Sequence, residues 1–254
     1  IVADYAVNDS VNTYAKVATG FRSGGASERA PNFNQTFSPE KVTSYELGVK
    51  SEIMDRRLRI NAAFFRTETD DAINTIGGTG PLGALQETFN FGKVKIEGLE
   101  LDVLALLGES TTVGFNYVYL DGELSDVIVP AGSILNVPGT NITDVTYLAQ
   151  VPNNAYSVTL DHRFSIAEVS VDAHLDYSYR DEVNSSAVLT PVPDIGLWNA
   201  RLSLREIALG NTSATVGLWV KNLTDEEEII YDLAQTGNQF NRPRTYGVDL
   251  KFNF

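Results

Sequence analysis

Asp172, His174 and Asp176 stand two residues apart, a carboxylate–imidazole–carboxylate row that a strand would place on one face. Such a row could bind a metal ion or move protons. It reads more readily as polar lumen lining, because every second residue of 170–180 is polar. The run Asp225-Glu226-Glu227-Glu228 offers oxygen ligands for a hard cation such as Ca²⁺, or is a solvated acidic loop. Other chemistries lack their residues. Cysteine is absent and histidine occurs twice, at His162 and His174, which leaves no thiol nucleophile and little for a zinc centre. Against 33 acidic residues stand 19 basic ones, a net charge of −14, which argues against nucleic acid as a partner. No catalytic residue and no cofactor is expected, and the chain reads as a non-enzyme.

The elements that carry these residues are strands. Tyr246, Val248, Leu250, Phe252 and Phe254 alternate with Thr245, Gly247, Asp249, Lys251 and Asn253. The same period of two runs through 44–53, 57–64, 169–180 and 198–205. These stretches reach about ten residues, the length of a membrane-crossing strand rather than of the usual globular one. Around Glu97 and Gly98 the apolar parity switches, which predicts a β-bulge at the glycine. Over 213–221, Trp219 and Lys221 both fall on the polar parity, which makes that strand the least regular. Short turns near residues 8–10, 54–56, 108–110, 165–167 and 209–211 alternate with long polar connections over 23–40, 70–93, 123–152, 181–194 and 224–243. All long loops therefore fall at one end, as in bacterial outer-membrane barrels. Tyr45, Phe64, Tyr117, Tyr119, Tyr156, Tyr177, Tyr179, Trp198 and Tyr246 lie toward that end, and Phe164, Phe252 and Phe254 toward the other, like two interfacial girdles.

Several blocks carry a family resemblance. They are Tyr14-Ala15-Lys16-Val17-Ala18-Thr19-Gly20-Phe21-Arg22-Ser23-Gly24-Gly25, the hairpin from Pro39 to Phe65, Asn90-Phe91-Gly92-Lys93 with Ile96-Glu97-Gly98-Leu99, Val220-Lys221-Asn222-Leu223-Thr224-Asp225, and Pro243-Arg244-Thr245-Tyr246 running to Phe254. In this order they resemble the C-terminal part of the barrel of TonB-dependent outer-membrane receptors. The implied fold is all-β, an antiparallel transmembrane β-barrel. About eleven strands of a 22-stranded barrel are expected over residues 1–254, with the plug domain and the first strands lying upstream of a truncation at Ile1.

The resemblance implies active transport of a scarce large nutrient, foremost a ferric siderophore, energised through TonB in the bacterial cell outer membrane. The TonB complex would act through the N-terminal part, and the ligand would be a metal chelate or other small molecule. Outer-membrane lipid is the other partner. Capture would fall to loop residues: Arg22, Arg29, Asn32 and Phe33 in the first long loop, and Tyr231, Gln235, Asn238 and Arg242 in the last. Arginine suits anionic ligands and aromatics suit sugars or catecholates. Each also reads as an ordinary solvated loop residue. Phe252 and Phe254 would form the signal read by the barrel assembly machinery. The alternative readings are a passive porin-like or enzyme barrel, and a soluble extracellular β-sandwich binding module.

Overall fold

The computed structural model describes residues 1–28, 30, 35–80, 83–135, 137–186, 191–210, 212–232 and 237–253. Eleven long strands make one antiparallel sheet. They are β1 (Val2–Asn8), β2 (Val11–Arg22), β3 (Glu40–Ile53), β4 (Leu58–Asp70), β5 (Lys93–Leu107), β6 (Thr111–Ser125), β7 (Asn154–Ile166), β8 (Val169–Arg180), β9 (Ile195–Leu209), β10 (Thr212–Lys221) and β11 (Thr245–Asn253). Each strand pairs only with its neighbours in sequence, so the sheet is an up-and-down meander. A sandwich would divide these strands between two packed sheets; all eleven belong to one.

The short turns and long connections alternate as the sequence predicts. At the β3–β4 turn, Met54, Asp55 and Arg56 are all left-handed (φ 54°, 55° and 63°), and Arg57 N donates to Met54 O at 3.1 Å. The long connections are not irregular throughout. They carry small ribbons: Gly25–Ala26 with Thr36–Phe37, Ile73–Gly80 with Gly83–Asn90, Val183–Asn184 with Pro191–Val192, and Ile229–Asp232 with Asn238–Phe240.

Register sorts the sheet into two faces. Leu47, Phe64, Leu99 and Tyr119 lie directly opposite one another in successive strands, and so do Val113, Leu160, Leu175, Ala200, Val220 and Tyr246. This apolar face is uncovered: Leu47 is 61% exposed, Phe64 56% and Leu250 63%. Among the described residues, the buried apolar side chains lie mostly in the long connections, with only Val171 and Ala214 on the long strands. Ile76, Phe89, Phe91 and Val127 form the buried cluster, with Leu124, Ile134, Leu135 and Ile142 packed against it. In water an open apolar face of this extent would be untenable; in lipid it needs no cover.

Two expectations about strand regularity change. β5 pairs without a register shift with both β4 and β6, so there is no bulge at Glu97–Gly98. The parity switch has another cause. Lys95 and Glu97 share the face of Leu99, in rungs with Glu68 and Glu123 and with Arg66 and Asp121. That face turns from apolar to charged toward the long-loop end, where the strand rises out of the apolar layer. A bulge does occur in β9. Leu204 pairs with Val216 and Ile207 with Ala214, so Arg205 and Glu206 stand against Thr215 alone, and Glu206 is left-handed (φ 59°). The second change concerns 212–221. β10 is regular, and Trp219 on its polar face lies opposite Gly247, where a Cβ would overlap the indole.

Candidate functional site: the polar wall and the loop end

The face opposite the apolar one is a wall of paired charges. Arg163 Nε donates to Asp172 Oδ1 at 2.7 Å, and Arg205 holds the other Asp172 oxygen at 2.9 Å. His174 meets Asp161 through Nδ1 (2.8 Å) and Asp176 through Nε2 (3.2 Å). Asn199 Nδ2 donates to Asp176 Oδ2 at 2.7 Å, and Arg201 pairs with Asp249 at 2.7 Å. Further along, Tyr14 donates its hydroxyl to Glu46 (2.6 Å), and Lys16 pairs with Glu46 at 3.2 Å. Asn61 and Arg59 both reach Asp102. These carboxylates are engaged by neighbouring cations and amides, and both ring nitrogens of His174 have partners.

Within the Asp172–His174–Asp176 row, His174 and Asp176 are bonded to each other, whereas Asp172 is held apart by Arg163 and Arg205. No group of three metal-ligating side chains occurs among the described residues. The wall lacks the single sign of charge that an ion-selective ring needs. It suits a wetted surface.

In the Asp225–Glu228 run it is the Asp225 carboxylate that is engaged. Asp225 Oδ1 accepts from Arg244 N at 3.0 Å, and Asp225 pairs with the Arg244 guanidinium at 3.3 Å. Beside it, the buried, left-handed Asn222 (φ 53°) closes the stem of the last long connection. Its Nδ2 donates to Glu226 O (2.8 Å) and Arg242 O (3.1 Å), its Oδ1 accepts from Glu226 N (2.9 Å), and its own N–H donates to Asn199 Oδ1 (3.0 Å). The blocks around Asn222 and Arg244 are therefore two halves of one clasp.

A family model described as TonB dependent receptor-like, beta-barrel matches residues 2–223. The chain belongs to the TonB-dependent receptor family. A probable TonB-dependent siderophore receptor, PiuA of Acinetobacter baumannii, is 32% identical over 103 residues, covering 40% of this chain and 13% of PiuA. The catecholate siderophore receptor Fiu of Escherichia coli K12 is 23% identical over 262 residues, covering all of this chain and 30% of Fiu. The crystal structure of the ferric yersiniabactin uptake receptor FyuA from Yersinia pestis superposes with a TM-score of 0.76 at 19% identity, covering all of this chain and 37% of that one. The chain thus spans less than two fifths of the length of each of these relatives.

TonB-dependent receptors are outer-membrane β-barrels of Gram-negative bacteria, and the family consists of transport receptors rather than enzymes. In outer-membrane barrels the outward face is an apolar band, the interior is polar, the longer loops are extracellular and the short turns are periplasmic. Tyr156 and Tyr179 (ring centroids 5.1 Å apart) and Tyr177 and Trp198 (4.6 Å) form a packed stretch of the outer aromatic girdle.

Of the capture candidates, Arg22 ends β2, exposed, opposite Glu40. Tyr231 and Asn238 share the small ribbon of the fifth loop, where Tyr231 faces Gln239 and Asn238 faces Asp232. Arg242 is exposed, with its carbonyl accepting from Asn222. Arg29, Asn32, Phe33 and Gln235 lie outside the described residues, as does Phe254. Phe252 is exposed on the apolar row of the edge strand β11, opposite Ala214. The sheet does not bring the first-loop and fifth-loop candidates together, because β2 and β10 lie toward opposite edges. Sequence reasoning missed Glu87, which is fully buried in the second loop. It also missed the aromatic side chains seated over glycines, Tyr14 on Gly48 and Phe65 on Gly98.

Proposed function

We propose that this chain is the C-terminal part of the barrel of an active-transport receptor for ferric siderophores, energised through TonB. The observation that carries the reading is the meander itself: one face apolar and uncovered, the other a wall of self-neutralised charge, with all long loops at one end. The names of PiuA and Fiu, siderophore receptors, supply the cargo class, and FyuA is an uptake receptor for ferric yersiniabactin. Both edges of the sheet, β1 and β11, have one partner each, which lipid does not tolerate. They run in the same direction, so closure with antiparallel pairs throughout takes an odd number of further strands. The expected barrel of 22 meets that condition.

Arg22, Arg29 and Arg242 would attract the carboxylates or catecholates of the chelate, and Phe33 and Tyr231 would stack on its rings. Asn32, Gln235 and Asn238 would add hydrogen bonds. TonB would engage the N-terminal part of the receptor. The assembly machinery would read the β11 edge with Phe252 and Phe254 by β-augmentation. The test is uptake of radiolabelled ferric chelates by cells carrying the full-length protein. Uptake should stop when the proton gradient is collapsed, and Arg22→Ala with Arg242→Ala should weaken half-saturation about tenfold. Uptake that survives loss of the gradient would make the protein a passive barrel.

A further inference from the structure

Glu87 has no exposed surface, yet it sits in an extracellular loop. Its carboxylate accepts from three donors. Gln35 Nε2 comes from the first loop, whereas Ser133 Oγ (2.7 Å) and Ile134 N (2.9 Å) come from the third. Glu87 itself belongs to the second loop. Other bonds follow the same lines. Thr88 N donates to Ser27 Oγ at 2.9 Å, and Ser27 is itself buried. Asn90 accepts from Ser38 N (2.8 Å) and donates to Ser38 O (3.0 Å) and Asp71 O (2.8 Å). Around these bonds lies the apolar cluster of Ile76, Phe89, Phe91 and Val127, to which Ile134 and Ile142 of the third loop contribute.

We infer that the first three extracellular loops form one cooperative cap fastened by the Glu87 carboxylate, distinct from the fifth loop with its own clasp at Asn222. The physical reason is the cost of burying a carboxylate, which is large unless its lone pairs are satisfied. The donors that satisfy Glu87 come from two other loops. Neither loop can withdraw without leaving the carboxylate short of donors in an apolar surround, so the three open together or not at all. Among the described residues the fourth loop meets the third at the far end of the third, where Gln150 N donates to Asn184 O at 2.9 Å, and it packs on the fifth, where Ser185 Oγ donates to Asp232 O at 3.3 Å. The inference rests on these loop contacts and not on the proposed cargo.

Hydrogen exchange on the full-length protein in lipid nanodiscs tests it. Reporting peptides cover Ser27, Thr88 with Phe91, and Ile134 with Ile142; the reference covers Asp225–Asn241. Glu87→Ala should speed exchange about tenfold or more in all three reporters by a similar factor, with the reference unchanged. Ser133→Ala removes one donor and should give a smaller acceleration, about threefold, across the same three. Acceleration confined to the second loop, or equal acceleration in the fifth, would overturn the single cap. If Glu87→Ala fails to insert, Ser133→Ala decides alone: no change in the Ser27 peptide refutes the inference.

Discussion

Leu160 stands at the middle of β7, four residues from Tyr156 and four from Phe164, the girdle aromatics of its own strand. A rise of about 3.3 Å per residue and a tilt of about 40° put each aromatic about 10 Å from Leu160 along the bilayer normal. The girdles are then about 20 Å apart, close to the roughly 25 Å apolar band of such barrels. Leu160 is 40% exposed on the lipid face, between Val113 and Leu175. An arginine there cannot bring its guanidinium to either interface without bending along the sheet. Leu160→Arg should therefore cost about 2–4 kcal/mol, the value for a cation at the midplane. Thr159, one residue away, faces the lumen opposite Gly114 and Asp176. Thr159→Arg should cost about 1 kcal/mol or less, because lumen positions are wetted. Leu160→Ala separates lost packing from added charge. The assay is urea-dependent refolding of the full-length protein into phospholipid vesicles, followed by fluorescence of Trp198 and Trp219. Equal costs for the two arginines, or a larger cost at Thr159, would mean that the apolar face does not meet lipid.

At Gly48 an added Cβ would overlap the Tyr14 ring, whose hydroxyl binds Glu46 and over which Lys50 sits at 5.4 Å. Gly48→Ala should cost about 1–3 kcal/mol in the same titration, and under about 0.5 kcal/mol once Tyr14 is alanine; an undiminished cost in the double variant would place the strain elsewhere. Asn222→Ala strips partners from the N–H of Glu226 and the carbonyls of Glu226 and Arg242 and keeps a Cβ at positive φ, so a loss of about 2–4 kcal/mol is expected. Asn222→Gly should recover about 1 kcal/mol of that, the backbone share, and a glycine variant as stable as the parent would refute the clasp.

The sheet was legible in the sequence because lipid on one face and water on the other impose a period of two over ten or more residues. That repetition also fixes register, since a slip of one residue would turn every leucine of a strand into the lumen. The same rule misled at Glu97. Parity reports which face is apolar, and a strand that leaves the bilayer reverses that polarity with no change in its backbone. Toward the long-loop end, Arg66, Glu68, Lys95, Glu97 and Glu123 share the outward face, while Val94, Ile96 and Leu124 lie on the other face, where Leu124 packs against the loop core. The true bulge, at Arg205–Glu206, left only a local change of spacing, from Leu204 to Ile207. The loops followed neither rule. Their ribbons are mostly two to four residues long, too short to repeat a pattern. Their contacts are single events between residues far apart in the chain. Glu87 meets Ser133, Ile134 and Gln35 across separations of 46, 47 and 52 residues. A glutamate between Leu85 and Phe89 has the same appearance in sequence whether it faces water or anchors a core. Capture residues inherit this difficulty: the solvent-facing pattern that marks a loop is shared by all its residues, and specificity lies in which of them the loop cores hold still.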